Sequence, residues 1–367
     1  MGDSPPSVCF VDKTLYEVRP QDPHATFAGA RNPTRSTNSL TDTFLLGAGF
    51  SKAVSNQMPT MKELYNLLEG LIGQADGFNR EVYEYASGNA ETLLSYYAIP
   101  GPHDDPVEAL RKRRVTALIE IGIGETIRNK ETRAELSGLN PSANILLEKW
   151  HQDRSHILTT NYDTLVERIA SQHDLFYTDL FPVPITNATV RDGGAILGSE
   201  YPDTFTLYKL HGSTAWYKSQ NESTSDSIYG LPHNLVGDPK YQKFVADKRR
   251  FIVPPVLDKS SLLNHETIRN LWSQAKQKAL IQADNIYVIG YSLPETDIAM
   301  RTLLWEGTRT RYYPNSPTPT KSLYVVDIDN QVARRFKNIL GAYYHVYDRF
   351  TGSHDMFDKF VAEYVGQ

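Results

Sequence analysis

Thr43-Phe44-Leu45-Leu46-Gly47-Ala48-Gly49-Phe50-Ser51 is the stretch on which the fold turns: a short apolar run that stops at a pair of glycines. A run of this kind suits a strand buried on both faces. The glycines lack a Cβ, so the chain can turn sharply and its backbone amides can come close to a ligand such as a pyrophosphate. A plain strand-to-helix turn explains the same residues. The six-residue dinucleotide fingerprint with three glycines is absent.

Working outward, the periodicity changes. Pro59 suits a first helical position, and Met61, Leu64, Leu67, Leu68 and Leu71 then share one helical face. Helical spacing returns over Glu91–Ala98, Val107–Arg128 and Ala143–Trp150. A second strand is expected at His156-Ile157-Leu158-Thr159, followed by a helix through Leu165, Val166 and Ile169. Thr206–Leu210 reads as a third strand, and Lys218 to Gly230 as a polar loop. Ile268, Leu271, Trp272, Ala275 and Ala279 mark another helix. Ile286–Ile289 and Leu323–Val326 are two further buried strands, with helices from Asp297 and Asn330. Strands alternating with helices predict an α/β fold with a parallel, doubly wound sheet. Its expected extent is 43–367, with a helical insertion module at about 60–150 and an N-terminal arm at 1–42. Within the arm, Val8–Val11 and Leu15–Val18 are candidate short strands among prolines.

Composition narrows the function. A formal charge of −5 over 367 residues argues against direct binding of nucleic acid or an anionic membrane, both of which need clustered positive charge. The basic runs Arg111–Arg114 and Lys248–Arg250 read as solvated faces or interdomain pairs, with a docking patch for a partner protein or nucleic acid as the alternative. No run of apolar residues is long enough to span a bilayer, and the N-terminus shows no signal-peptide pattern, so a cytoplasmic protein is expected. Cys9 is the only cysteine, which excludes an intrachain disulfide and any multi-cysteine zinc site.

The polar motifs fall at strand ends, where open parallel sheets bind ligands. Asn161 and Asp163 follow the second strand; Asp163 can instead cap the next helix. His211 ends the third strand in Lys209-Leu210-His211-Gly212-Ser213, and is either a general base titrating near neutrality or a hydrogen-bonded structural histidine. Gly290-Tyr291-Ser292-Leu293 places a hydroxyl at a glycine turn. Asp327 and Asp329 close a later strand, where a carboxylate can hold a ribose diol or cap a helix.

Taken in order, Gly47–Ser51, Thr159–Asp163, His211-Gly212, Gly290–Ser292 and Val326-Asp327 resemble the motifs of the sirtuin-like NAD-consuming family. Thr159-Thr160-Asn161-Tyr162-Asp163, Lys209–Ser213 and Gly290–Asp297 look in detail like the sirtuin-like domains of bacterial antiphage defence systems. The resemblance implies a Rossmann-like fold binding NAD as a substrate. Gly47, Ala48, Gly49 and Ser51 would hold the diphosphate, and Asp163 the nicotinamide amide. Gly290, Ser292 and Asp327 would complete the cofactor site, with Asn161 and His211 catalytic. The four-cysteine zinc module of the deacylating sirtuins cannot form here, so no metal is expected and a deacylase is disfavoured. The expected activity is that of an NAD glycohydrolase in antiphage defence, restrained by homo-oligomerisation or a separately encoded regulatory protein. An inactive nucleotide-binding or scaffolding module is the alternative.

Overall fold

The computed structural model describes residues 41–99, 101–172, 204–219, 228–230, 246, 248–253, 265–307 and 321–366. The N-terminal arm up to residue 40, with its two candidate strands and Cys9, lies outside the described residues.

Six strands form the central sheet: β1 (Asp42–Leu46), β2 (His156–Thr159), β3 (Thr206–Lys209), β7 (Asn285–Ile289), β8 (Lys321–Asp327) and β9 (Tyr344–Thr351). All pairings are parallel, in the order β3-β2-β1-β7-β8-β9. The chain thus builds outward from β1 in one direction and from β7 in the other, as in a Rossmann-like doubly wound sheet. A separate antiparallel sheet, β5-β4-β6, comprises β4 (Gly212–Ser219), β5 (Ile228–Gly230) and β6 (Lys248–Ile252).

Alternation along each strand explains why the sheet is covered on both faces. Phe44, Leu46, Ile157, Leu207, Tyr287, Ile289 and Val326 join one core. Leu45, Leu158, Tyr208, Ile286, Val288, Leu323 and Val325 point the other way into a second. Register lines up Phe44, Tyr287, Tyr324 and Tyr347 on four neighbouring strands. Their rings stack with centroids 5.0, 5.0 and 4.8 Å apart, a spacing set by the strands themselves.

The first core is closed by α1 (Ala48–Val54), α2 (Met61–Ile72), α3 (Arg80–Ala86), α4 (Ala90–Ala98), α5 (Pro106–Ser137), α6 (Pro141–Asp153), α7 (Leu165–Gln172) and α11 (Met356–Val365). The second is closed by α8 (Glu266–Gln274) and its π-helical continuation Ala275–Leu280, α9 (Ile298–Gly307) and α10 (Gln331–Leu340). Helices α1 to α6 form one run between β1 and β2. Its last member, α6, belongs to the sheet: Trp150 is fully buried with its ring 5.0 Å from that of Phe44.

Several expectations need correction. Pro59 precedes α2 rather than starting it. Thr60 is the N-cap, its hydroxyl taking the Glu63 amide while Glu63 takes the Thr60 amide, a capping box. The expected loop at 218–230 is strand at both ends, in β4 and β5, while 220–227 lie outside the described residues. Helix α5 extends past Arg128 to Ser137. The basic runs are partly paired within the chain: Arg111 with Asp76 at 3.4 Å, Lys112 with Asp104 at 2.8 Å and Arg250 with Glu125 at 2.6 Å. Among the described residues no helix is long and apolar enough to cross a membrane.

Candidate active site

The carboxyl ends of β1 and β7 are adjacent, and the chain runs away from them on either side, so a crevice must open there. The two glycine turns meet inside it. The Gly47 amide donates to Ile289 O at 3.0 Å and the Gly49 amide to Gly290 O at 2.9 Å. A Cβ on Gly47 would sit 2.5 Å from Gly290 O, and one on Gly49 would sit 2.6 Å from Gly290 Cα. Gly290 has φ +62°, and a Cβ on it would overlap the backbone of Gly49 and Phe50. The glycines therefore have a reason that the sequence did not show: the chain's own backbone makes the close approach. In the first turn of α1, the Gly49 and Phe50 amides are already engaged, the latter by Gly47 O.

Asn161 follows β2 and reaches across to β1. Its Nδ2 donates to Gly47 O at 2.8 Å and to Ser51 Oγ at 2.9 Å. Gly47 O can only accept, which fixes the orientation of the amide. Ser51 in turn donates to Asp163 Oδ2 at 2.6 Å, and Asp163 Oδ1 accepts the Leu165 amide at 3.2 Å. Asp163 therefore takes the first amide of α7 and orients Ser51, with both carboxylate oxygens engaged. That leaves Oδ1 as the remaining acceptor of Asn161, a residue that lines the cleft.

Behind this triad lies a buried charge cluster. Lys209, at the end of β3, donates to Asp163 O and pairs with Glu167 at 3.1 Å. Glu131 of α5 is 1% exposed and accepts from the Thr164 amide and, at 3.1 Å, from the Thr164 hydroxyl. Burial first, then the charge of Asp163, pushes the Glu131 carboxyl up to about 7, against the pull of Arg168, Thr164 and Lys209. Burial also raises Asp163 above its ordinary range, opposed by Lys209, Ser51 and Leu165. Folded Glu131 thus keeps a proton that the unfolded chain has lost between its ordinary value of 4.5 and about 7. Its contribution to stability is full below that window and declines as pH rises through it, by roughly 1–3 kcal/mol. Denaturant unfolding at about pH 5 and about pH 7.5 should show this loss, and Glu131→Gln should shrink it. Equal pH slopes in the two proteins would refute the assignment.

His211 lies in the turn between β3 and β4, 4% exposed, its ring stacked on Trp272 with centroids 6.1 Å apart. Trp272 is anchored by its own indole N–H to Leu210 O at 2.9 Å. The backbone is fixed from both sides: Val253 donates to His211 O at 2.9 Å, and Thr214 to Tyr162 O at 2.8 Å. Gly212 turns with φ +82°, and its place against Phe251 O leaves no room for a Cβ.

On the other flank, Tyr291 donates its hydroxyl to Asp297 Oδ2 at 2.8 Å, closing the loop that holds Ser292. Ser292 is exposed and its carbonyl takes Arg335 Nε at 3.0 Å. Leu293 is fully buried with φ +52°, a strained conformation for a branched residue, and Arg301 holds its carbonyl at 3.1 Å. Asp327 ends β8, half-buried, its carboxyl raised by burial and accepting the Asp329 amide at 2.9 Å.

A cleft of about 350 Å³ unites these parts. Ala48, Gly49, Ser51, Asn161, Asp163, His211, Gly290, Ser292 and Asp327 all line it, and Gly47 reaches it through its bond to Asn161. The helical module supplies a wall the sequence did not announce, including Lys62, Glu91 and Ile127. Those residues belong to no motif. Asp297 was legible only as the end of the Gly290–Asp297 run. A larger hollow of about 480 Å³ within the module is lined by Arg80, Arg111 and Lys112. All three cations are paired with carboxylates there, which makes it the weaker candidate. Among the described residues no group of three or more histidine, cysteine, aspartate or glutamate side chains is placed to hold a metal.

Fold and cleft together define a Rossmann-like α/β domain with its polar residues gathered at the switch point of the sheet. A family model described as a SIR2-like domain matches residues 155–313, which supports a sirtuin-like domain there with an NAD-related function. That span holds Asn161, Asp163, His211, Gly290 and Ser292, but neither Gly47–Ser51 nor Asp327. No curated protein matches the chain.

Proposed function

We propose that this chain is an NAD glycohydrolase that breaks the nicotinamide–ribose bond and passes the ribosyl group to water. The observation that carries this reading is the convergence of Asn161 and His211 on one cleft at the switch point. NAD supplies the activated C1′–N bond, whose cleavage builds positive charge on the ribose and releases nicotinamide. The residues at the ends of β2, β3 and β8 fit such a substrate, whereas the Gly49 and Phe50 amides and Asp163 are engaged within the chain. Asp327, which lines the cleft at the end of β8, would accept from a ribose diol. Asn161, with Nδ2 spent on Gly47 and Ser51, offers Oδ1 to the hydrogen of a water or ribose hydroxyl. Its fixed orientation is the kind of placement that contributes several kcal/mol. His211 accepts the proton that the attacking water gives up, so water's oxygen ends on C1′ and the products are nicotinamide and ADP-ribose.

Such an activity must be restrained in its host, and we assign the chain to antiphage defence, where NAD depletion halts an infected cell. Homo-oligomerisation through the helical module, or a separately encoded regulatory protein, would supply the restraint. Val107 and Ile121, 58% and 59% exposed on α5, support an apolar contact there. The alternative, a nucleotide-binding module without turnover, draws on the doubly engaged Asp163.

The test is incubation with NAD, with and without the products of neighbouring genes, with light scattering on the same preparation. Release of nicotinamide and ADP-ribose from an oligomer is the expected result. Nucleotide binding with no release in any arm would leave the scaffold reading standing. Full activity from a lone monomer would remove the restraint.

A further inference from the structure

Glu131 lies outside every motif, yet it sits where the catalytic segments meet. Its Oε1 accepts from the amide and hydroxyl of Thr164, three residues after Asn161. The same oxygen accepts from the Thr214 hydroxyl at 3.5 Å, three residues after His211. One carboxylate oxygen therefore ties together two segments that are distant in sequence. The second oxygen faces Arg168 Nη2 at 3.7 Å, and Arg168 also donates to the Thr164 hydroxyl at 3.0 Å and to Glu135 at 2.5 Å. The carboxylate comes from the middle of the helical module, on the helix whose Glu125 pairs with Arg250 of β6. A methionine would fill the same space without the cost of burying an acid, so packing alone gives no reason for the group.

We infer that Glu131 is a positioning residue for the cleavage reaction: from α5 it holds the Asn161 loop and the His211 turn in one fixed register. The inference rests on the NAD-cleaving reading of the cleft. It also makes α5 the element through which a shift of the helical module reaches the chemistry, since moving the helix moves the oxygen that joins both segments.

The test uses the full chain, with nicotinamide release and hydrogen–deuterium exchange as separate readouts. Glu131→Met removes the acceptor and keeps the volume, whereas Glu131→Gln keeps an acceptor oxygen. Glu131→Met is expected to lower kcat at least tenfold with KM within about threefold, because misplaced groups lose rate before binding. Exchange in residues 159–166 and 210–216 should rise at least about tenfold, with β8 unchanged. Glu131→Gln should restore both to within about threefold of wild type. Leu146→Ala, a core variant on α6, should lower the melting temperature while leaving kcat unchanged.

Wild-type exchange in both segments of Glu131→Met would overturn the inference, as would unchanged kcat or a matching kcat loss in Leu146→Ala. If the wild type releases no nicotinamide in any arm, the NAD reading fails and exchange alone decides whether Glu131 sets the register. Should Glu131→Met not fold, the shortened Glu131→Asp carries the same comparison, since its carboxylate cannot reach both threonines.

Discussion

Asn161→Ala and His211→Ala are each expected to cut nicotinamide release by about 10²–10⁴-fold, the range typical for loss of a positioned acid–base or orienting group. The two losses have different origins. Without Asn161, the nucleophile loses its acceptor, and Gly47 O and Ser51 Oγ lose a donor, at a stability cost of roughly 1–2 kcal/mol. Without His211, the proton of the attacking water has no base, and the stack on Trp272 is lost. Asn161→Asp separates the role of the amide from its size. It sets a second acceptor against Gly47 O, where the native contact is a 2.8 Å hydrogen bond, and adds charge beside Asp163. It should be as inactive as the alanine variant. Initial rates of nicotinamide release, with melting temperatures as a folding control, measure all three. Near-normal turnover in Asn161→Ala or His211→Ala would sink the catalytic assignment.

Gly290→Ala is expected to destabilise the fold by about 3–5 kcal/mol. Part comes from φ +62°, which costs an alanine about 1 kcal/mol. The larger part comes from placing a Cβ in the backbone of Gly49 and Phe50, which cannot give way as a side chain can. Gly88→Ala is the natural control: φ is +86°, but nothing lies within 4 Å of the added Cβ, so only the conformational cost of about 1 kcal/mol remains. For a chain of 367 residues, thermal unfolding of the two variants should differ by roughly 3–5 °C. Similar melting temperatures would mean that the two glycine turns are not clamped together as described.

Much of the fold was legible because it depends on local stereochemistry. The alternation of Phe44, Leu45 and Leu46 between two cores follows from the pleat, and the glycines that end β1 and β7 mark turns that other residues cannot make. The N-cap expected at Asp163 falls one residue later, on Thr164, whose carbonyl accepts the Arg168 amide, while Asp163 takes the Leu165 amide and the Ser51 hydroxyl. Other elements escaped. β9 carries His345, Asp348 and Arg349 on exposed positions, as befits an edge strand guarded by charge, so it lacks the apolar run that marked the inner strands. The β4–β6 sheet has a broken register between Gly212 and Tyr217, and no regular alternation announces it.

The sequence by itself determined the strand ends, the two-faced sheet and the identity of the polar groups available there, because periodicity and turn chemistry act over a few residues. Only the tertiary structure decided what those groups touch. Asn161 meets Gly47 across 114 positions, and Glu131 meets Thr164 across 33 and Thr214 across 83. Such pairings follow from strand order and from which helix covers which face. A long helix with charged residues at many positions gives no local sign of which one will be buried. Strand order and helix packing bring that one carboxylate into contact with both the Asn161 and the His211 segments, and no short-range rule of the chain records that contact.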